Sequence, residues 1–148
     1  MQTLANQFLA LSPEQRKAAQ VLLAEHALTK WIAHVSSKGH MQYREMVAGT
    51  TQVVDKSLPE DALESVRIGR DSGNVRERYK EPITAIRDED FQLPDPIEFA
   101  YYAIYNLFEK YVAQKPVDDW VIVNQAISSE ENEAMWEVLL ANAIRKAI

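Results

Sequence analysis

The sequence predicts an all-α fold: a single-domain helical bundle of about six helices around one apolar helix at residues 96–113. Three observations carry this. Residues 96–113 read PIEFAYYAIYNLFEKYVA and, wrapped at 3.6 residues per turn, are apolar or aromatic on nearly every side, the pattern of a core helix with several neighbours. Helix-start signals recur at Ser12, Ser57 and Ser128, each three residues ahead of a Glu or Gln, the spacing of a capping box. Elsewhere the apolar residues repeat at helical spacing, and no set of strands adequate for a sheet is present. At 148 residues the chain fits one domain, residues 1–148, with a substantial core.

Taken in order, residues 3–10 form a short opening helix carrying Leu4, Phe8 and Leu9. Ser12, Pro13 and Gln15 then start a long helix running to about Val35, with a stripe of Val21, Ala24, Leu28, Trp31, Ile32 and Val35. Leu22 and Leu23 fall outside the stripe, so a second neighbour is expected there. Residues 36–40 (SSKGH) are a turn. Residues 41–57 read as a third helix with Tyr43, Met46, Val47, Thr50 and Val54 on one face, weakened by Gly49. Ser57 and Glu60 box the start of the next, through Ala62, Leu63 and Val66, and Gly69 ends it.

Residues 66–79 admit two readings. Val66 to Arg70 and Val75 to Tyr79 alternate around the turn Asp71-Ser72-Gly73-Asn74, as a small hairpin would. Alternatively Asn74 and Glu77 cap a short helix; helix or irregular structure is preferred because an isolated hairpin is marginal in water. Pro82 is expected to break whatever precedes it. Asp88-Glu89-Asp90, Pro94 and Pro96 form a loop into the central helix. Beyond the break at Pro116, residues 117–127 (VDDWVIVNQAI) could form a strand by their Val and Ile content but read as a helix burying Trp120, Val121, Ile122, Val123 and Ile127. A third capping box, Ser128 with Glu131, opens the last helix, whose stripe is Met135, Trp136, Leu139, Leu140, Ala143 and Ala147.

The net charge of −6 is unevenly placed. Residues 1–87 hold 12 Lys and Arg against 10 Asp and Glu, net +2; residues 88–148 hold 4 against 12, net −8. An acidic half disfavours nucleic acid and steers basic partners. The absence of cysteine excludes disulfides, thiolate metal sites and cysteine nucleophiles, and fits the cytoplasm. No basic leader precedes an apolar run and no apolar stretch reaches membrane-spanning length, so neither secretion nor a membrane is expected.

Catalytic and metal patterns are missing. His26 and His34 are eight residues apart, too far for the adjacent-turn pair of a zinc helix, and His26 falls opposite the apolar stripe, toward solvent. There is no Gly-x-Ser-x-Gly elbow and no glycine-rich phosphate loop. Glu98 and Glu109 lie about 16 Å apart along a helix, too far to share one bond of a substrate. No catalytic residue, metal or cofactor is therefore expected. Arg67, Arg70, Arg76, Arg78, Lys80 and Arg87 suit phosphate, but Asp71, Glu77 and Glu81 interleave, and an internally salt-bridged loop is at least as good a reading.

Two stretches resemble a known family. LALSPEQRKAAQVLLAEHAL, with its capped helix and Ala24-Glu25, resembles the start of helical immunity proteins of bacterial toxin–immunity systems. DPIEFAYYAIYNLFEKY, followed by Ser128-Ser129-Glu130-Glu131 and a last helix, is similar to the closing half of related small all-helical bacterial proteins. The resemblance covers about half of the chain and leaves residues 67–87 unmatched. It implies a cytoplasmic protein that occludes a cognate toxin, and it carries over no catalytic residue.

The functional expectation is a non-enzymatic protein-binding protein presenting an acidic, tyrosine-containing surface to a basic partner. Glu98, Tyr102, Tyr105 and Glu109 line the polar edge of the central helix, with Asp118, Asp119, Glu130 and Glu131 as rim charges. The alternatives are a small-ligand binder or enzyme with a site assembled across helices, and a homo-oligomeric structural subunit using Leu22 and Leu23.

Overall fold

The structure, a computed structural model, describes residues 3–39 and 41–148. The turn expected at residues 36–40 therefore ends at His40, outside the described residues. The class is all-α. Among the described residues there are seven α-helices, one 3-10 turn and a two-stranded hairpin: α1 (Leu4–Leu9), α2 (Pro13–Ser36), β1 (Gln42–Arg44), β2 (Thr51–Val53), α3 (Leu58–Ile68), α4 (Val75–Arg87), α5 (Asp95–Tyr111), α6 (Asp119–Ser128), the 3-10 turn Glu133–Met135 and α7 (Trp136–Ala147).

The two longest helices, α2 and α5, form the frame, and α3, α6 and α7 pack around them. α2 begins as its sequence dictates. The Ser12 hydroxyl accepts from the Gln15 N–H at 3.2 Å, and Gln15 Oε1 accepts from the Ser12 N–H at 3.0 Å, so two of the free donors at the helix start are satisfied reciprocally. Its buried face is Ala19, Gln20, Leu23, Ala24, Ala27, Trp31 and Val35. Leu23, outside the expected stripe, is 3% exposed, whereas Ile32, inside it, is 41% exposed; a helix with neighbours on several sides has no single apolar stripe. α5 buries Ile97, Ala100, Tyr101, Ala103, Ile104, Leu107, Phe108 and Glu109, and the Trp31 and Tyr101 rings meet at 5.0 Å where α2 and α5 cross.

The expected helix at residues 41–57 is instead the hairpin. β1 and β2 pair antiparallel with Tyr43 opposite Gln52. The run Thr51 to Val54 is rich in β-branched residues, which favour a pleated surface, and Gly49 takes φ +69 in the connecting loop. A lone hairpin needs tertiary support. Here Tyr43 stacks on Phe91 at 4.7 Å, the Met46 N–H donates to Asp90 at 3.3 Å, and Trp31 Nε1 donates to the carbonyl of Lys56 at 2.8 Å. Residues 66–79, where the sequence makes a hairpin the lesser alternative to a helix, hold the end of α3 and the start of α4.

Three local expectations fail nearby. Ser57 makes no capping bond; its backbone is already helical, and its hydroxyl donates to Asp55 at 3.0 Å. Asn74 does not cap α4 either. It sits at φ +58, and the Asp71 carboxylate takes its place, accepting from Val75 N–H at 2.8 Å and Arg76 N–H at 3.1 Å. Pro82 does not break the chain: α4 continues through it to Arg87. Proline removes one backbone donor, and the buried Val75, Tyr79, Ala85 and Ile86 anchor the helix on both sides of it. Gly69, at φ +77, does end α3, its N–H donating to the carbonyl of Ser65 at 2.9 Å.

At the other end, α6 is a helix as expected, though Val121 is exposed. Ser128 is its last residue rather than a new cap; the turn that follows is capped by Asn132, whose side chain accepts from Ala134 N–H at 3.2 Å. α7 buries Leu140, Ala143 and Ile144.

Because Asp71 holds two donors at the start of α4, Asp71→Ala is expected to cost about 1 kcal/mol, the usual worth of such a cap. Asn74→Gly, at a left-handed position, is expected to be neutral or slightly stabilising. Urea unfolding followed by circular dichroism checks both.

Candidate functional site

α4 meets α5 through aromatic rings. Tyr79 lies 5.6 Å from the Tyr101 ring, 4.9 Å from Tyr105 and 6.2 Å from Phe108. Two open clefts flank this contact. One, of about 530 Å³, lies at the start of α5 and is lined by Arg87, Glu89, Phe91, Asp95, Glu98 and Tyr102, among others. The second, of about 480 Å³, lies toward the end of α5 and includes Tyr79, Tyr105 and Glu109.

Glu98 and Tyr102 are brought together in the first cleft, one helical turn apart. The Tyr105 ring stands edge-on to Tyr102 at 6.4 Å but faces the second. Burial and the neighbouring Asp95 raise the Glu98 carboxyl above its ordinary value. Burial and the Glu98 charge raise the Tyr102 phenol, partly offset by Arg87. Among the described residues the carboxylates of Glu89, Asp95 and Glu98 form no salt bridge, and with Arg87 the one cation in the lining, acids outnumber bases in the cleft. Glu89 and Asp95 were not singled out by sequence; both follow from the acidic loop into α5, where Glu89 takes φ +63.

Glu109 does not lie on the exposed edge. It is 6% exposed, bound by Lys115 at 3.1 Å and hydrogen-bonded to Tyr105. A central helix with neighbours on most sides leaves little of its surface free, and Glu109 is buried with a cation to compensate it.

The expected rim charges are dispersed. Asp118 caps α6, accepting from Trp120 N–H at 2.8 Å. Asp119 is the centre of a clamp: Arg16 donates at 3.1 Å, Gln20 at 2.9 Å and Lys110 at 3.2 Å, while the Tyr111 hydroxyl donates to Gln20. Burial pushes the Asp119 carboxyl up, but hydrogen bonds from Gln20 and Lys110 and the charges of Lys110 and Arg16 outweigh it and hold it below the ordinary range. Glu130 binds His26 at 3.2 Å and Lys30 at 3.3 Å, so His26 faces the turn that follows α6 and not solvent alone. The Asn132 N–H chiefly holds Glu130 low, against its burial, with Lys30 and His26 adding. Glu131 is exposed. Glu98 and Lys110, which binds Asp119, stand about 18 Å apart along α5 by helical rise, so the eight residues do not form one patch.

Part of the basic stretch is paired within the fold. Arg78 joins Asp55 at 2.9 Å, Asp61 at 2.9 Å and the carbonyl of Gly73 at 3.0 Å, tying α4 to α3 and the hairpin's exit. Arg67 pairs with Glu25 at 3.2 Å. Among the described residues no three His, Asp or Glu side chains are grouped to hold a metal ion, and no helix is long and apolar enough to cross a membrane. Compared with family models, curated proteins and solved structures, the chain gives no significant match.

The Tyr79 hydroxyl is buried without a hydrogen-bond partner. Such a group carries a desolvation cost of about 1–3 kcal/mol. Tyr79→Phe keeps the ring contacts and is expected to stabilise the fold by about 1 kcal/mol, read as a higher urea midpoint; a lower midpoint would reveal a role for the hydroxyl. Glu98 gives a pH prediction. Its folded pKa is raised, so the ionised form opposes folding above that pKa, and the cost vanishes as pH falls to the ordinary 4.5. Glu98→Gln is therefore expected to be more stable than wild type at neutral pH, the difference closing on acidification. Thermal melts across that range check it.

Proposed function

We propose that the chain is a non-enzymatic protein-binding protein that receives a basic segment of a partner in the acidic cleft at the start of α5. The observation that carries this reading is the set of three carboxylates, Glu89, Asp95 and Glu98, gathered around Phe91 and Tyr102 with no salt bridge among the described residues. A half-buried carboxylate with a raised pKa gains from an arriving cation, and the partly exposed Tyr102 ring supplies area that a Lys or Arg stem can cover. In the immunity reading the partner is a cognate basic toxin, which the bound protein occludes in the cytoplasm. Asp118, Asp119, Glu130 and Glu131 contribute long-range attraction more than contact, since most of them are engaged within the fold.

Self-association through Leu22 and Leu23 is less well supported, because Leu23 is in the core. A ligand enclosed within the bundle is likewise less well supported, since both clefts beside α5 are open.

The test is binding to the partner captured from the source cells, measured by calorimetry at low and moderate salt. Asp95→Lys with Glu98→Lys is expected to weaken binding at least about tenfold, as charge reversal at a complementary contact does, and to reduce its salt dependence. Glu131→Lys, exposed and remote along the chain, is expected to change it little. Undiminished binding by the double variant would remove the cleft from the interface.

A further inference from the structure

The second cleft has the opposite character. Arg76, Lys80 and Arg87 from α4 and Lys115 from the loop after α5 line it, above a floor of Tyr79 and Tyr105. The three α4 cations recur at i, i+4 and i+11, so they share one helical face. Lys115 is placed by backbone geometry: Gln114 takes φ +57 and the Lys115 N–H donates to the Glu109 carbonyl at 2.8 Å, which turns the chain back beside the cleft.

Three of these four cations have a carboxylate partner, but the pairs made by the two on α4 are exposed. Arg76 forms no salt bridge among the described residues. Lys80 pairs with Glu77 at 2.8 Å, but both side chains are more than 60% exposed, and Arg87 pairs with its neighbour Asp88 at 3.3 Å in an equally open setting. Exposed pairs of this kind are weak and yield readily to a more highly charged anion. The one carboxylate lining the cleft, Glu109, is bound by both Lys115 and Tyr105.

We propose that this cleft binds an extended polyphosphate, either free or as the tail of a nucleotide. The span favours an extended anion: Arg76 and Arg87 lie about 16 Å apart by helical rise, too far for one small ion to touch both. Arginine suits the paired oxygens of phosphate, and lysine serves as a point charge beside it. Tyr105 offers a partly exposed ring against which a base can rest. The overall charge of −6 works against any unspecific attraction of a polyanion, so saturable binding would report a local site.

The experiment is a 1H–15N NMR titration of the full chain with inorganic tripolyphosphate and, separately, adenosine triphosphate, at low ionic strength without divalent cations. Saturable shifts are expected at Arg76, Lys80, Tyr105 and Lys115. Arg76→Gln with Lys80→Gln is expected to weaken the dissociation constant about tenfold or more, since each removes a charged contact. The control Arg145→Gln with Lys146→Gln, of equal charge change at the exposed end of α7, is expected to leave it unchanged. Arg76 and Lys80 do not line the acidic cleft, so the result is independent of the partner-binding proposal. Equal affinity for the two probes identifies free polyphosphate; tighter binding of the nucleotide, reduced by Tyr105→Ala, identifies the nucleotide. Unsaturable shifts, or equal weakening by both double variants, would overturn the site.

Discussion

The packing of α5 against α2 is the constraint on which the rest of the molecule depends. Its centre is the Trp31–Tyr101 contact, two large rings whose burial removes much apolar surface from water. Each ring also reaches a second element. Trp31 donates its indole N–H to Lys56, which fixes the exit of the hairpin, and Tyr101 meets Tyr79, which seats α4. At the far end of the same helix pair, Gln20 and Asp119 tie the start of α6 to α2, with Tyr111 and Lys110 closing the ring of contacts from α5. Apolar burial in the middle and a satisfied polar network at one end together fix the position of α6, because the network is made only in one arrangement.

This division explains what was legible in the sequence. The start of α2 and the end of α3 could be read because their signals are local: a Ser–Gln pair three residues apart, a proline at the first helical position, a glycine able to take positive φ. α5 could be read because a helix apolar on most sides is a core helix wherever its neighbours lie. The hairpin could not, since the spacing of Tyr43, Met46, Val47 and Val54 also fits a helix. What decides between them is Phe91 and Asp90, more than forty residues away. Similarly, Ser57-Leu58-Pro59-Glu60 has the grammar of a capping box, but Arg78 draws Asp55 and Ser57 into its own network. Local propensity is a weak prior, and tertiary contacts overrule it here.

The candidate site shows the same limit. Helical spacing correctly joined Glu98 to Tyr102, a turn apart. It could not reveal that Glu109 is buried with Lys115, or that Asp119 and Glu130 serve α2. Counting charge by sequence halves measures long-range field. Whether a given carboxylate is free for a partner depends on cations that the fold brings in, here Arg16, Lys30, Lys110 and Lys115.

Helix dipoles account for part of the charge pattern and sharpen what remains. Asp95 and Glu98 stand in the first turn of α5 and Lys110 in its last, each at the end where its sign is favoured. That suffices to explain why acids are tolerated there, yet Glu98 is still raised by burial and by Asp95, so the dipole leaves a cost that an external cation would relieve. Arg76 is the converse case. It lies in the first turn of α4, where the helix disfavours a cation, and among the described residues no carboxylate side chain pairs with it. Asp71 offsets the dipole through the backbone amides without engaging the guanidinium. Arg87, in the last turn of α4, is favoured by the dipole and Lys80 is paired with Glu77, so Arg76 is the cation of this face that stability leaves unexplained, just as a cost remains at Glu98. The two clefts differ in the sign of most of the charges that line them, with Arg87 lining both.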